Sequence, residues 1–284
     1  MKLIAALLGV LGLAIGGAPA LAQTNQSAGP VPSNFQQGIN AEKAGNYALA
    51  RQKFDLACNI DRSGAGCINF AVLVSNPKYG AVNEASARKA LKSGCELENA
   101  TSCYDLGRYL KFGKGGPKDL KGAHDVLIES CYLFKTAKGC QMLGDLRRFD
   151  IKEPALAREA YRYGCDAGLT EACLSYGAVL MSGVGGPPDY PKAIRIFEGQ
   201  CSAGDSMYCT WAGQTYVKSG IPQADAKAEP LLRKACDMNA LAGCFSLGEL
   251  MERKGGKPNR DAARALYVRA CDARIYDACQ KLKQ

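Results

Sequence analysis

The residues with the most chemistry to offer are fourteen cysteines, at positions 58, 67, 95, 103, 131, 140, 165, 173, 201, 209, 236, 244, 271 and 279. They fall into seven couplets whose members lie 9, 8, 9, 8, 8, 8 and 8 positions apart. Thiols at this density either oxidise to structural disulfides or ligate a metal. Zinc sites prefer cysteines roughly two to four residues apart, with further Cys or His partners. The spacing here is too wide, and the chain holds one histidine, His124. That scarcity removes HExxH chemistry and leaves His124 alone for any His-based triad. An even count in regular local pairs reads as disulfides closed within each couplet: Cys58–Cys67, Cys95–Cys103, Cys131–Cys140, Cys165–Cys173, Cys201–Cys209, Cys236–Cys244 and Cys271–Cys279. Closing a loop of about 8 residues contributes about 2.5 kcal/mol by the loop-entropy model. No metal and no cofactor is expected.

Cysteines repeated in this way need a recurring element to hold them. The first members of successive couplets are 37, 36, 34, 36, 35 and 35 positions apart, a period that denotes a solenoid of supersecondary units. Eight residues before each first cysteine stands alanine: Ala50, Ala87, Ala123, Ala157, Ala193, Ala228 and Ala263. Four before it stands a large residue: Phe54, Leu91, Leu127, Tyr161, Phe197, Leu232 or Tyr267. One before it the residue is small, with Gln200 the exception. These positions share one face of a helix, helix B. Twelve before it, Asn46, Asn83, Asp119, Asp189 and Asn259 read as N-caps. The second cysteine opens helix A. Four residues on come Gly107, Gly144, Gly177, Gly213 and Gly248, small where another helix must cross closely. Gly/Pro-rich stretches at 113–117, 183–188 and 255–258 separate A from B. Each unit is then a helical hairpin. The expected fold is all-α, a solenoid of about seven hairpins with one disulfide per repeat.

Residues 1–22 read as a secretory signal peptide. Met1-Lys2 gives a positive start, Leu3 to Ile15 is apolar, and Ala20-Leu21-Ala22 has the small-x-small ending of a cleavage site. A membrane anchor over Leu3 to Ala22 is the alternative, opposed by the Gly16-Gly17-Ala18-Pro19 break. Residues 23–33 read as a flexible leader and 34–284 as the solenoid, with no later stretch apolar enough to span a bilayer. Together with oxidised cysteines, this places the protein in a periplasm or outside the cell. The chain carries 36 Lys+Arg against 27 Asp+Glu. Its basic residues are scattered along helix B and the loops without interleaved aromatics, which argues against nucleic acid as a partner.

The run Cys103-Tyr-Asp-Leu-Gly107, the loop Gly115-Gly-Pro-Lys-Asp119, and Ala123, Leu127 and Cys131 resemble the Sel1-like repeat, a relative of the tetratricopeptide repeat. Cys173 to Cys201 and Cys244 to Cys271 repeat the form, and the resemblance covers about 34–284. The first unit departs from it, with 12 residues from Gly38 to Ala50 against 16 from Gly107 to Ala123, as in a capping unit. With its doubled cysteine the pattern is similar to the Hcp-type cysteine-rich secreted family, associated with penicillin binding and named for β-lactamase. That resemblance implies a β-lactam or peptidoglycan-derived ligand and a weak cyclic-amide hydrolase. Serine β-lactamase chemistry needs Ser-x-x-Lys, a Ser-x-Asn or Tyr-x-Asn element, and Lys-Thr-Gly or Lys-Ser-Gly opposite. Ser75-Asn-Pro-Lys78 and Ser86-Ala-Arg-Lys89 match the first, and Lys92-Ser-Gly94 and Lys218-Ser-Gly220 the last. The middle element is missing, and Ser86 and Lys92 share one helix. Catalytic residues stay unassigned. A non-enzymatic scaffold is the leading expectation, with the hydrolase as the alternative.

In tetratricopeptide-like stacks helix A lines the concave surface. If that holds here, residues one and five after the second cysteine face inward. Among them Tyr104, Arg108, Gln141, Asp145, Thr210, Gln214, Phe245 and Glu249, with Trp211 beside them, mix aromatic, charged and amide groups. Such a row suits a protein or peptide partner in the envelope. His124, at a helix-B position that carries Arg51, Arg88 or Arg158 in other units, reads as exposed.

Overall fold

A computed structural model describes residues 33–283. The expected signal peptide and leader lie outside the described residues, apart from Ser33, whose hydroxyl accepts the Gln36 N–H and caps the first helix. Helices then pair in chain order. α1 (Asn34–Lys43) joins α2 (Tyr47–Asn59), and α3 (Gly64–Ser75) joins α4 (Glu84–Glu96). α5 (Ala100–Phe112) joins α6 (Leu120–Ile128), and α7 (Ala137–Asp145) joins α8 (Pro154–Asp166). α9 (Thr170–Ser182) joins α10 (Tyr190–Ser202), and α11 (Ser206–Ser219) joins α12 (Ala224–Asp237). α13 (Leu241–Lys254) joins α14 (Lys257–Asp272), and α15 (Tyr276–Lys281) follows. The odd helices are the A helices and the even ones the B helices. The result is an α/α solenoid of seven hairpins, with no strand among the described residues.

Each hairpin is locked by one steric fit. The alanines eight before the first cysteine are all buried, as are the large residues one turn later. Six of the seven large side chains lie against a glycine of the facing A helix; in the hairpin of Leu91 that position is Ala71. A Cβ on Gly107 would meet Leu127 at 2.5 Å, one on Gly144 would meet Tyr161 at 2.5 Å, and one on Gly177 would meet Phe197 at 2.3 Å. Gly213 with Leu232, Gly248 with Tyr267, and Gly38 with Phe54 repeat the arrangement. The glycine is therefore demanded by the space its neighbour fills.

The B helices start where four of the five predicted caps place them. Asn46, Asn83, Asp119 and Asp189 each accept a backbone N–H in the first turn. Asn259 does not cap. Pro258 in the first turn lets α14 begin at Lys257, and the Asn259 amide instead donates to the Gly255 carbonyl at 2.7 Å.

Disulfides tie hairpin to hairpin. All seven couplets are closed, each linking a B helix to the next A helix with Cα atoms 4.3 to 4.7 Å apart. Beside most bridges two small residues meet. A Cβ on Gly66 would touch Ala57 at 2.6 Å, and one on Gly243 would touch Ala235 at 2.6 Å. The Gln200 junction breaks this rule because the facing residue is Tyr208. That ring is fully buried and its hydroxyl donates to the Thr170 carbonyl at the start of α9. Burial, with Asp205 nearby, pushes its phenol up to about 12.

A second clamp lies seven residues before the first cysteine, at the other end of five of the seven B helices. Arg51 donates to the Ala81 carbonyl at 3.0 Å, Arg88 to Pro117 at 2.8 Å and Arg158 to Pro187 at 2.9 Å. Each acceptor sits in the A–B connection of the following hairpin. Glu229 receives Lys254 in the same sense. His124 belongs to this set, which corrects its reading as exposed. It is half-buried, and its Nε2 accepts from Nε of the buried Arg147 at 3.3 Å. Arg147 also donates to the Tyr132 hydroxyl at 2.7 Å. The connection it comes from, Leu146–Ile151, is π-helical and replaces the Gly/Pro loop of other units. A matching π-helical stretch, Glu129–Leu133, carries Cys131, whose couplet spans 9 positions where most span 8.

The two rows of helices are unequally close. Successive odd helices touch between α3 and α5, α5 and α7, α7 and α9, and α11 and α13, while in the even row only α2 with α4, and α8 with the turn that continues α6, approach comparably. The even row is the splayed one, so the odd helices form the inner side of the curve.

Two glycine substitutions separate packing from helix propensity. Gly177→Ala should lose about 1–3 kcal/mol by overpacking against Phe197. Gly199→Ala on α10, where a Cβ meets nothing within 4 Å, should gain up to about 1 kcal/mol. Denaturant unfolding curves check both. Removing a clamp should cost about 1 kcal/mol for Arg88→Ala and nothing measurable for Arg264→Ala in the last hairpin. Hydrogen bonds from Lys254 and Arg233 hold the Glu229 carboxyl below its usual range. Its contribution is complete near neutral pH and is lost as acid protonates it. Lys254→Met should therefore lower the melting temperature at pH 7 and by much less at pH 3.

Candidate functional site

The inner face is built by the odd helices, whose turns bring every fourth residue to the same line. Two clefts open on it. The first, of about 700 Å³, is lined by Tyr104, Asp105 and Arg108 of α5, by Thr136 to Lys138 at the start of α7, and by Ala167 to Leu169 before α9. Arg108 is paired with Asp105 on its own helix at 2.9 Å, so its guanidinium is held over the cleft without bracing another element. The second cleft, of about 510 Å³, runs between α11, α13 and α15. Gln214 crosses it to donate to the Ser246 hydroxyl at 2.7 Å. Glu249 and Arg253 stand on its α13 wall, with Lys218 and Lys281 opposite and Leu232 and Leu250 beneath. Desolvation, together with nearby Glu252 and Asp277, raises the Glu249 carboxyl above its ordinary value, against the pull of Lys281.

The nine residues expected on this face divide by what they touch. Tyr104 and Arg108 line the first cleft; Gln214 and Glu249 line the second. Gln141 is tied to Asp145 at 3.2 Å and to Ser175 of α9 at 3.1 Å. Asp145 accepts the Tyr161 hydroxyl at 2.8 Å, and burial followed by that carboxylate raises the phenol. Trp211 is half-buried against Phe197 at 6.0 Å between centroids, and Phe245 packs against Tyr267 at 5.8 Å. Thr210 is off the open face. It is 5% exposed, donates to the Ser206 carbonyl, and lies under α13, where a Cβ on Gly243 would come within 3.0 Å of its hydroxyl.

Lys218 and Arg253 were not anticipated. They lie nine residues after the second cysteine, one turn beyond the expected row, and extending the same helical stripe would have found them. The equivalent positions two units earlier and beyond hold Phe112 on α5 and Phe149 after α7, which are 60% and 55% exposed.

The hydrolase motifs do not converge. Ser86 and Lys92 both lie on α4, Ser75 ends α3, and Lys218-Ser-Gly220 closes α11. Glu129, Cys95 and Cys103 bring three residues of metal-ligating type within 4.8 Å, but both sulfurs belong to one bridge, so no thiolate is offered. No described helix is long and apolar enough to cross a membrane.

The Sel1 repeat model matches residues 100–124, 170–205, 198–239 and 241–274. Cytochrome c oxidase assembly factor 7 of Xenopus tropicalis is 34% identical over 200 residues, which cover 66% of this chain and 85% of that protein. The Homo sapiens protein of the same name is 33% identical over 161 residues, 52% of this chain and 70% of its own. The chain belongs to the Sel1-repeat family. Among solved structures, the protective antigen c5321 of uropathogenic Escherichia coli, with an SLR fold, superposes with a TM-score of 0.74 at 18% identity. It is matched over 88% of this chain and 55% of its own length. A Sel1 repeat protein from Oxalobacter formigenes gives 0.59 at 19% identity, over 84% of this chain and 97% of its own. These likenesses carry the fold.

The relatives overturn one expectation. Placement in a periplasm or outside the cell is corrected, because the curated relatives are animal proteins named for the assembly of cytochrome c oxidase, not periplasmic or secreted proteins. The physical reason is that closed disulfides report an oxidising environment and carry no address.

The cleft geometry sets an order of sensitivity. Arg108→Ala breaks only a pair within α5 and should leave the melting temperature within about 1 °C. Trp211→Ala removes the ring packed on Phe197 and should cost about 3 kcal/mol or more. Calorimetry of the two variants checks the contrast.

Proposed function

We propose that this chain is a non-catalytic scaffold that holds a partner polypeptide along its inner, odd-helix face, and that it serves the assembly of cytochrome c oxidase. The observation that carries the reading is the pair of open clefts. There Arg108, whose one ion pair lies within α5, and Glu249, which makes no hydrogen bond or ion pair among the described residues, present charged groups that the packing of the hairpins does not consume, with the Tyr104 ring beside Arg108. Aromatic and arginine side chains of this kind anchor protein partners. The oxidase enters from the name shared by the relatives, and the family architecture favours binding over catalysis. The β-lactam and peptidoglycan reading has no residue in its support, since its motif fragments lie on separate elements or along one helix.

Site-specific photo-crosslinking tests the face. A photoreactive residue at Arg108 or Glu249 should give discrete protein adducts in cells that normally contain the chain. The same probe at Lys121 or Arg195 on the outer helices should give none of those adducts. Absence of adducts from the inner positions would remove the face. With the photoreactive residue moved to Tyr104 or Gln214, the double variant Arg108→Glu, Glu249→Lys should abolish the adducts, and without a probe it should lower assembled cytochrome c oxidase several-fold on native gels. Unchanged oxidase in cells lacking the chain would sink the assembly role while leaving the binding face standing.

A further inference from the structure

We propose that the trough between α4 and α6, on the outer face, docks one amphipathic helix of a partner protein, with carboxylates along one flank of its apolar stripe and cations along the other. The site is separate from the inner face and does not depend on the function proposed there. It exists because the even row is splayed, so α4 and α6 do not close on each other. Leu106 and Leu110 of the underlying α5 form its floor, continued by Val126, Leu133 and Phe134, in a volume of about 890 Å³. Leu133 is 67% exposed, an apolar side chain left in the open at the mouth of an apolar floor.

The walls carry opposite charge over the middle of the trough. Arg88, Lys89 and Lys92 line the α4 side there, and Asp119, Asp125 and Glu129 line the α6 side, while Glu96 and Glu98 lie at the far end of the α4 side. Lys89 makes no hydrogen bond or ion pair among the described residues, and Lys92 reaches only Glu96 of its own helix at 3.9 Å. Asp125 has His124 as its one ionic neighbour, at 3.8 Å, and Glu129 has no cation partner among the described residues. No ion pair among them joins α4 to α6. A helix about 10 Å wide placed on the leucine floor would meet cations on one side and carboxylates on the other over its middle two turns. The acidic wall disfavours polyanions such as nucleic acid or phospholipid surfaces, and the cationic wall disfavours a uniformly basic peptide. α6 and the π-helical turn after it span on the order of 14 residues, about 20 Å, so the guest is a helix of about four turns with anchors at i, i+3, i+4 and i+7.

The test uses the oxidised full chain and three synthetic helical peptides of about 15 residues. All share one leucine stripe; one has glutamates on one flank and lysines on the other, one has glutamates on both, and one has lysines on both. Fluorescence anisotropy should show the mixed peptide binding about tenfold tighter than either control, with the advantage shrinking in high salt. Lys89→Glu with Lys92→Glu, both at exposed positions, makes both walls acidic and should switch the preference to the all-lysine peptide. Such a gain cannot come from unfolding. Leu133→Asp should abolish binding, and Arg108→Glu on the other face should leave it intact. Equal affinity for the three peptides overturns the proposal, as does no binding of any. Concentration-dependent self-association that Leu133→Asp abolishes, without peptide binding, also overturns it by naming a second copy as the occupant.

Discussion

In a chain where each hairpin touches only its neighbours, the junction between hairpins is the constraint from which everything else follows. A disulfide sits at every such junction, between the end of one B helix and the start of the next A helix. At every junction but that of Gln200 with Tyr208 it is flanked by residues small enough to let the helices meet. A covalent bond at one end alone would leave a pivot. At the opposite end of five of the seven B helices, Arg51, Arg88, His124, Arg158 and Glu229 reach the connecting segment of the next hairpin or the end of its A helix and restrain that rotation. Two attachment points at opposite ends of a helix define an angle, and a repeated angle defines a curve.

The curve produces both surfaces. Drawing the odd helices together brings their fourth-residue stripes into one face, with clefts wherever short side chains or turns interrupt it. Splaying the even helices opens troughs whose floors are the undersides of the odd ones. Irregularities in the repeat then give these surfaces their individuality. Tyr208 replaces a small residue and props α11 on the start of α9. The π-helical connection at Leu146–Ile151 sends Arg147 inward to His124 and Tyr132, while Asp150 takes both Lys111 at 2.9 Å and Lys118 at 3.5 Å.

Most of the fold was legible in the spacing of the residues. The helical hairpins, the couplet pairing, the small residue four after the second cysteine and four of the five helix caps all depend on positions within one or two turns of each other. Those relations recur from unit to unit, so a chance match in one unit is checked by the next. The misreadings have a common cause. His124, Thr210 and Asn259 were assigned by position within their own unit, while other parts of the structure decide their surroundings: Arg147 of the next hairpin, α13 above, and a helix that starts early at Lys257. The inner row shared this fate, since Gln141, Asp145 and Trp211 sit at the right positions but are engaged by neighbours.

What the sequence by itself determined is therefore the local grammar: which residues are helical, which faces are apolar, which cysteines pair and where each hairpin turns. Short-range sterics and bond geometry decide those matters, and they are written in i to i+4 and couplet spacings. Only the tertiary structure decided which polar side chains are clamps and which are left over, and where the rows separate enough to admit a guest. Those outcomes depend on the angle between hairpins, a sum of contacts between residues some thirty positions apart that no single unit contains.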